Sequence, residues 1–312
     1  MFMESKINQP LVSIITVNYN QSKVTCEFLN SLQKITYKAI EIFVVDNDSP
    51  TDDPDIIKES FPYIKLLKTG RNLGFAGGNN YALPHCKGKY VLLINNDTEV
   101  EPDFLEPLVE LLESDPKIGI VNPRVQYYYS PGILQHAGYT PFNMITIRNF
   151  SIGYSKKDEG QYLNISESGS TFGAAMLVPL SVIKKVGMMA DIFFLYYEEH
   201  DWAAHIKKAG YSTYYNGKSL IYHKESISTG KDSPFKTYYL TRGRILFARR
   251  NTSGLKKILS LLYIYFITTP RITLEYLFKL KFDHVWAYWR AVWWNLSHRS
   301  GNIFELPKLK QK

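Results

Sequence analysis

Cysteine is nearly absent from this chain. Cys26 and Cys86 are the only two in 312 residues, and their spacing matches no metal or redox pattern. That excludes a disulfide scaffold and suits free thiols in a reducing compartment. Long apolar runs are missing too. No stretch reaches the ~20 residues that a membrane-spanning helix needs. Met1 to Pro10 is polar and lacks the apolar centre of a signal peptide. The Gly-rich stretch Gly70–Asn80 lacks GxGxxG spacing and has no GKS or GKT, so neither the dinucleotide fingerprint nor the P-loop is present there. Acids are scarce at one end. From Lys236 to Lys312 fifteen Lys and Arg face three acids, a balance of +12 within a chain of net charge +8. Such asymmetry points to an anionic surface or polymer as partner of the basic end.

What is present reads as a globular α/β protein. The organising stretch is Tyr90-Val91-Leu92-Leu93-Ile94, an unbroken apolar run that stops at Asn95-Asn96-Asp97. Short runs of this kind suit strands buried on both faces of a helix-covered sheet. Ligands in such sheets bind beyond the carboxyl ends of the strands. Leu11–Val17 and Ile40–Val45 repeat the pattern and end at Asn18 and Asp46, with Tyr63–Lys68 as a further strand. Helices are expected over Ser22–Leu32, with Ser22 as cap, over Asp52–Ser60, and at the Gly-rich turn Gly70–Asn80. The alternation predicts a doubly wound sheet.

Further along, Glu101–Ser114 reads as a helix with Pro102 early in it, and Ile118–Val125 as a strand. Residues 126–168 show no period and are expected to be loop-dominated. Thr171–Pro179 returns to strand, Leu180–Val186 is a helix closed by Gly187, a helix ends at Gly210, and Ser219–His223 is a short strand. Ile258–Thr268 is apolar, with Pro270 expected to stop it. From Ile272 to Leu296 a helical stripe appears at Val285 or Trp286, Trp289, Trp293 and Leu296, flanked by Lys279, Lys281, Arg290 and Arg299.

Several clusters can carry chemistry, each beside a plainer alternative. Asp97 with its neighbouring amides suits a hard divalent cation shared with a substrate phosphate, or forms a strand-end turn. The Gly-rich turn can cradle phosphate at a helix N-terminus, with Arg71 beside it pairing either a diphosphate or a surface carboxylate. Asp46 can accept the N3–H of a pyrimidine or serve as a cap. Glu198-Glu199-His200-Asp201 concentrates carboxylates beside aromatics, as general-base work needs, and equally suits the acidic first turn of a helix. His223, at a strand end, is a metal ligand with Asp97 or a structural histidine.

Taken together, Val12–Asn20, Val44–Ser49, Asn72–Asn80, Leu93–Thr98, Gly173–Ala175 and Phe193–Asp201, in that order, resemble family 2 glycosyltransferases of the GT-A fold. The likeness is to the rhamnosyltransferase-like and galactofuranosyltransferase-like branch and covers roughly residues 10–250. The resemblance implies a Rossmann-like mixed sheet flanked by helices, with a catalytic domain over residues 1–250 and a basic, aromatic helical extension over residues 251–312. It also implies donor contacts from Thr16, Asn18, Asp46, Arg71, Asn79, Asn95 and Asn96. Asp97 and His223 would hold Mg²⁺ or Mn²⁺, and Glu199 would be the base, with Glu198 and Asp201 as acidic neighbours. Arg242 matches an arginine that usually precedes an asparagine. The expected reaction is inverting transfer from a nucleoside-diphosphate sugar, dTDP-rhamnose first, to a hydroxyl of a glycan or lipid-linked acceptor, as in cell-surface polysaccharide synthesis.

The chain departs from the family pattern at Asn95-Asn96-Asp97, which carries less charge than a strict DxD, at Gly243, at Met188 and Ala190, and at Glu199 and His200. The expected location is cytoplasmic, peripheral at the inner membrane face, with a homodimer as an option for the tail. A nucleotidyltransferase and a non-catalytic nucleic-acid or membrane binder are the rival readings. The ordered acidic motifs argue against nucleic acid as a partner.

Overall fold

The computed structural model describes residues 9–224, 232–298 and 305–309. Residues 1–8, the 225–228 part of the histidine motif, and Arg299 lie outside them. Three strands follow the expected alternation: β1 (Val12–Asn18), β2 (Ile40–Asp46) and β3 (Lys65–Lys68). β4 (Tyr90–Ile94) is buried at all five positions. β1, β2, β3 and β4 are parallel, in the order β3-β2-β1-β4. Their apolar side chains divide between clusters on the two faces of the sheet, one around Phe28, Leu92 and Leu108, the other around Phe43, Leu93 and Trp202. Helices α1 (Ser22–Leu32), α2 (Asp55–Ser60) and α3 (Gly74–Ala82) connect them. Ser22 does not cap α1; its backbone N–H donates to the Asp52 carboxylate, which replaces the missing intrahelical acceptor.

Beyond β4 the sheet turns mixed. The next elements are β5 (Thr98–Val100), α4 (Leu105–Ser114), β6 (Ile118–Tyr127), β7 (Leu134–His136), β8 (Ile165–Glu167) and β9 (Ala175–Pro179). They continue with α5 (Leu180–Val186), α6 (Glu198–Lys208) and β10 (Ser212–His223). β9 runs antiparallel between β4 and β6, and β10 lies parallel to β6. α4 starts at Leu105 because Thr98–Val100 is drawn into an antiparallel pair with the end of β10. β10 is twelve residues long, not a short strand, and bulges between Asn216 and Leu220. The segment over residues 126–168 is not loop alone, since β7 pairs β6 and β8 pairs β10.

The C-terminal helices are α7 (Pro234–Asn251), α8 (Gly254–Leu262), α9 (Thr269–Phe278) and α10 (Phe282–Ser297). Pro270 does not stop the chain. The preceding turn, Tyr263–Thr268, is π-helical, and Thr269 Oγ1 donates to the Ile264 carbonyl, so the proline enters as a first-turn residue of α9. The expected stripe over Ile272–Leu296 is broken at Leu280, which has a φ of 55°. Its tryptophans face outward. α10 buries His284, Ala287, Tyr288, Ala291, Val292 and Asn295, while Trp286 and Trp293 are 68% and 70% exposed. The α7–α10 core joins residues on both sides of position 250, from Ile147 and Phe193 to Ile264 and Val292. Among the described residues no helix is long and apolar enough to cross a membrane.

Candidate active site

A cleft of about 380 Å³ opens at the carboxyl edge of β1 and β4. Asn95, Asn96, Asp97, Glu198, Glu199 and His223 all line it, together with Asn47 and Gln135. Residues as far apart in the chain as Asn47 and His223 therefore meet here.

The sheet-edge half is tied down by hydrogen bonds. The turn after β4 is closed by Thr98 Oγ1 donating to the Asn95 carbonyl at 2.8 Å. The backbone N–H of Lys224 donates to the Asp97 carbonyl at 2.8 Å, which locks the end of β10 onto that turn. His223 Nε2 lies 3.0 Å from Asp97 Oδ1 and 3.4 Å from Asn95 Nδ2. Its Nδ1 lies 2.8 Å from Gln135 Oε1. An amide oxygen only accepts, so Nδ1 carries a proton and Nε2 is the atom presented to the cleft. Burial opposes the charge on Asp97, but the adjacent His223 and Lys224 hold its carboxyl below the usual range.

Asp97 and His223 are the cleft's candidate ligands for a divalent cation. Among the described residues no group of three or more His, Cys, Asp or Glu could enclose one. The pair does fit a cation shared with substrate. One carboxylate oxygen and one imidazole nitrogen 3.0 Å apart match neighbouring ligands of an octahedral ion at about 2.1 Å, and a Mg²⁺-like ion takes its other ligands from water and phosphate.

The second half is built from strained backbone. Phe194, Tyr196 and Tyr197 have φ of 63°, 65° and 76°, a region that non-glycine residues rarely occupy. Three contacts hold the loop there. Arg242 Nη2 donates to the carbonyls of Ile192 and Phe193 at 2.5 and 2.6 Å. Gly74 (φ 71°) brings the N–H of Phe75 to the Phe194 carbonyl at 2.7 Å; a Cβ on Gly74 would stand 2.2 Å from that oxygen. A Cβ on Gly243 would meet the Tyr196 carbonyl at 2.7 Å, which accounts for glycine where the family pattern has asparagine.

α6 starts from this loop, so Glu198 and Glu199 lie in its first turn and also line the cleft. Each has a buried Oε2 without a hydrogen-bond partner. Burial, and then the charge of Glu199, push the Glu198 carboxyl well above its ordinary range. His200 Nδ1 lies 2.8 Å from Ser170 Oγ, and its Nε2 is 3.8 Å from Glu199 Oε1. Burial lowers the proton affinity of that imidazole.

The other expected site residues are placed differently. Asp201 does not join the cleft. It is fully buried and takes both Nε and Nη2 of Arg250 at 2.8 Å, with Asn251 Nδ2 at 2.7 Å. One helical position therefore separates a cleft acid from a structural ion pair. Asp46 and Asn18 bond each other at 2.9 Å just behind the cleft wall, which Val17, Tyr19 and Asn47 form. Thr25 and Asn96 extend this chain, with Asn96 Nδ2 donating to Thr25 Oγ1. Thr16 and Asn79 are buried inside the sheet–helix layer and line no part of the cleft. Arg71 is exposed at the Gly-rich turn, in no ion pair among the described residues.

Asn47 and Gln135 are cleft residues that were not anticipated. Asn47 accepts from the Leu73 N–H and donates to the Gly74 carbonyl, pinning the Gly-rich turn to β2. It follows Asp46 directly, so its strand-end position was the available signal. Gln135 has no such signal, because it lies in the segment without a period.

Residues 13–176, just over half of the chain, match the profile of glycosyl transferase family 2. The chain belongs to that family. The glycosyltransferase is 23% identical over 245 residues to the N-acetylglucosaminyl-diphospho-decaprenol L-rhamnosyltransferase of Mycobacterium tuberculosis, covering 71% of this chain and 78% of the relative. It is 29% identical over 238 residues to a protein of Sinorhizobium fredii of no stated activity, covering 73% of this chain but only 26% of that longer relative. The fold is GT-A. Among solved structures it is similar to the mannosyltransferase PcManGT from Pyrobaculum calidifontis in complex with GDP-Man and Mn²⁺, with a TM-score of 0.58 and 16% identity over 95% of this chain and 78% of that one.

Proposed function

We propose that this glycosyltransferase moves a sugar, rhamnose from dTDP-rhamnose as first choice, to a hydroxyl of a glycan or lipid-linked acceptor with inversion at the anomeric carbon. The observation that carries the reading is the shared cleft: Asp97 and His223 on one wall, Glu198 and Glu199 on the other. Rhamnose is preferred because the mycobacterial relative is named for it. The diphosphate of the donor lies at the Asn95–Asp97 turn, and the nucleoside reaches toward Val17, Tyr19 and Asn47, behind which Asp46 is held.

A divalent cation on Asp97 and His223, Mn²⁺ as in the PcManGT complex or Mg²⁺, would neutralise the departing diphosphate. The chain's own groups do the rest. The unpartnered Oε2 of Glu199 accepts the proton of the acceptor hydroxyl. The freed oxygen bonds to the anomeric carbon as the bond to the diphosphate oxygen breaks on the opposite face. The electron pair leaves on the nucleoside diphosphate, through a transition state with oxocarbenium character. Burial raises the proton affinity of the Glu198 carboxyl, which favours a proton on it that can be donated to the acceptor. The strained loop fixes both carboxyls before substrate arrives.

The basic end and the outward tryptophans support attachment to an anionic membrane surface, since Trp suits the interface and each Lys or Arg near such a surface is worth about 1 kcal/mol. The test is turnover of a panel of nucleotide sugars with and without Mn²⁺. Release of nucleoside diphosphate and an inverted glycoside supports the reading. Release of pyrophosphate would make the enzyme a nucleotidyltransferase, and full activity in EDTA would remove the metal.

A further inference from the structure

A second cavity, of about 350 Å³, lies between α7 and the C-terminal helices. Its wall includes Tyr197, Lys236, Arg244, Thr268, Tyr276 and Tyr288. We propose that it binds the phosphate or diphosphate headgroup of a long-chain lipid, and that the outer face of α8, α9 and α10 lies against the lipid chains. The proposal deepens the transfer reading and rests on its lipid-linked acceptor.

The first argument is charge. Arg244 is largely buried in this wall, and among the described residues no carboxylate lies within ion-pair distance of it. Its Nη2 donates to the Thr146 carbonyl, but its Nε is buried with no partner. Thr268 Oγ1, on the same wall, is likewise buried and unpartnered. Desolvation lowers the Arg244 proton affinity, and the charge of Arg148 lowers it further. Asp232 lines the same cavity but is ion-paired with Lys281, so a largely buried guanidinium with an open donor and a second arginine nearby calls for an anion, and phosphate is the planar fork's natural match.

The second argument is position. Lys236 lines this cavity and the catalytic cleft alike, and Tyr197 lines this one while Glu198 and Glu199, the next two residues, line the cleft. An anionic headgroup beside Arg244 therefore directs whatever sugar it carries toward Glu199. The third argument is the surface around the mouth. Trp286, Trp289 and Trp293, at spacings of three and four, share the outer face of α10, and Trp289 Nε1 donates to Thr273 of α9. Phe266 and Phe278 are 71% and 85% exposed. Lys256, Lys257, Arg271, Lys279 and Arg290 are interspersed along these helices. Exposed aromatics among cations form an interfacial surface.

The experiment measures binding of the full chain to geranylgeranyl diphosphate in detergent micelles and, separately, to inorganic diphosphate in water. The lipid should bind clearly more tightly, and Arg244→Gln should weaken it about tenfold or more, as expected for loss of a charged hydrogen bond. Leu240→Trp, which fills the rim of the cavity one helical turn before Arg244 and leaves the arginine in place, should weaken it as well, and decides the matter if the arginine variant does not fold. Unchanged lipid binding in Leu240→Trp overturns the site. Equal affinity for inorganic diphosphate overturns the lipid assignment in favour of a free phosphate ligand. Failure here would leave transfer to a soluble acceptor intact, whereas release of pyrophosphate from the nucleotide-sugar panel would remove the transfer reading and leave lipid binding standing.

Discussion

The two walls of the cleft are built on opposite terms. On the sheet edge Gln135 orients His223, whose Nε2 lies beside Asp97 and Asn95, and the Lys224 backbone locks the turn. On the helix side Glu198 and Glu199 each retain a buried oxygen with no partner, on a loop with three residues at positive φ. The first wall is arranged to hold charge and the second to be relieved of it. Binding asks for fixed, compensated groups, whereas proton transfer asks for a group whose best partner is still to arrive. The two walls meet because Gly74 and Arg242 tie the strained loop to the Gly-rich turn and to α7.

Removing the proposed base strikes the contrast hardest. Glu199→Gln should lower turnover about 10²–10⁴-fold while a thermal-shift titration with nucleotide sugar stays near wild type. Equal turnover would put the base elsewhere. Asp201, two residues on, should behave in the opposite way. Asp201→Ala strands Arg250 and should cost about 3–5 kcal/mol of stability, read from denaturant melts. A drop in turnover without a drop in stability would return Asp201 to the chemistry.

On the sheet-edge wall, Gln135→Leu frees the His223 ring and should weaken divalent-metal affinity or activity about 10–100-fold, measured by titrating Mn²⁺ into the assay. Gly74→Ala tests the tie between the walls. Its Cβ would collide with the Phe194 carbonyl, and the strain of a displaced loop should cost about 1–3 kcal/mol and lower kcat more than donor affinity.

The smallest effect is a slope. Glu198 has a folded-state pKa above its unfolded value, so the folded chain binds the extra proton. That contribution to stability is fully present below the ordinary carboxyl value of 4.5 and is lost as pH rises through the folded pKa. The loss is at most about 1.4 kcal/mol per pH unit for one proton. Glu198→Gln should flatten it in melts taken from pH 4.5 upward, and an unaltered slope would mean that Glu198 is charged in the fold.

The strands were legible because each is a local apolar run with a polar stop: β1, β2 and β4 lie where Leu11–Val17, Ile40–Val45 and Tyr90–Ile94 read as strands. The polar stop after β4, Asn95–Asp97, was legible as part of the cleft because it marks a strand end, whereas the stops after β1 and β2, Asn18 and Asp46, lie behind the wall. Glu198 and Glu199 stood out by their clustering, although nothing local separates them from Asp201; Arg250, forty-nine residues away, makes that distinction. The tryptophan stripe had a helical period, and period alone does not say which side of a helix finds a partner. Tyr288 and Val292 turned out to face the core.

Residue order thus settled most of the alternation of strands and helices and marked the candidate acids, because burial and strand ends are properties of short segments. Which of those acids share a cleft, which oxygen orients His223, and which face of α10 meets solvent followed from how β9 and β10 cross the sheet and how α7 docks. Those are contacts between segments far apart in the chain, and no single segment carries a record of its distant neighbour.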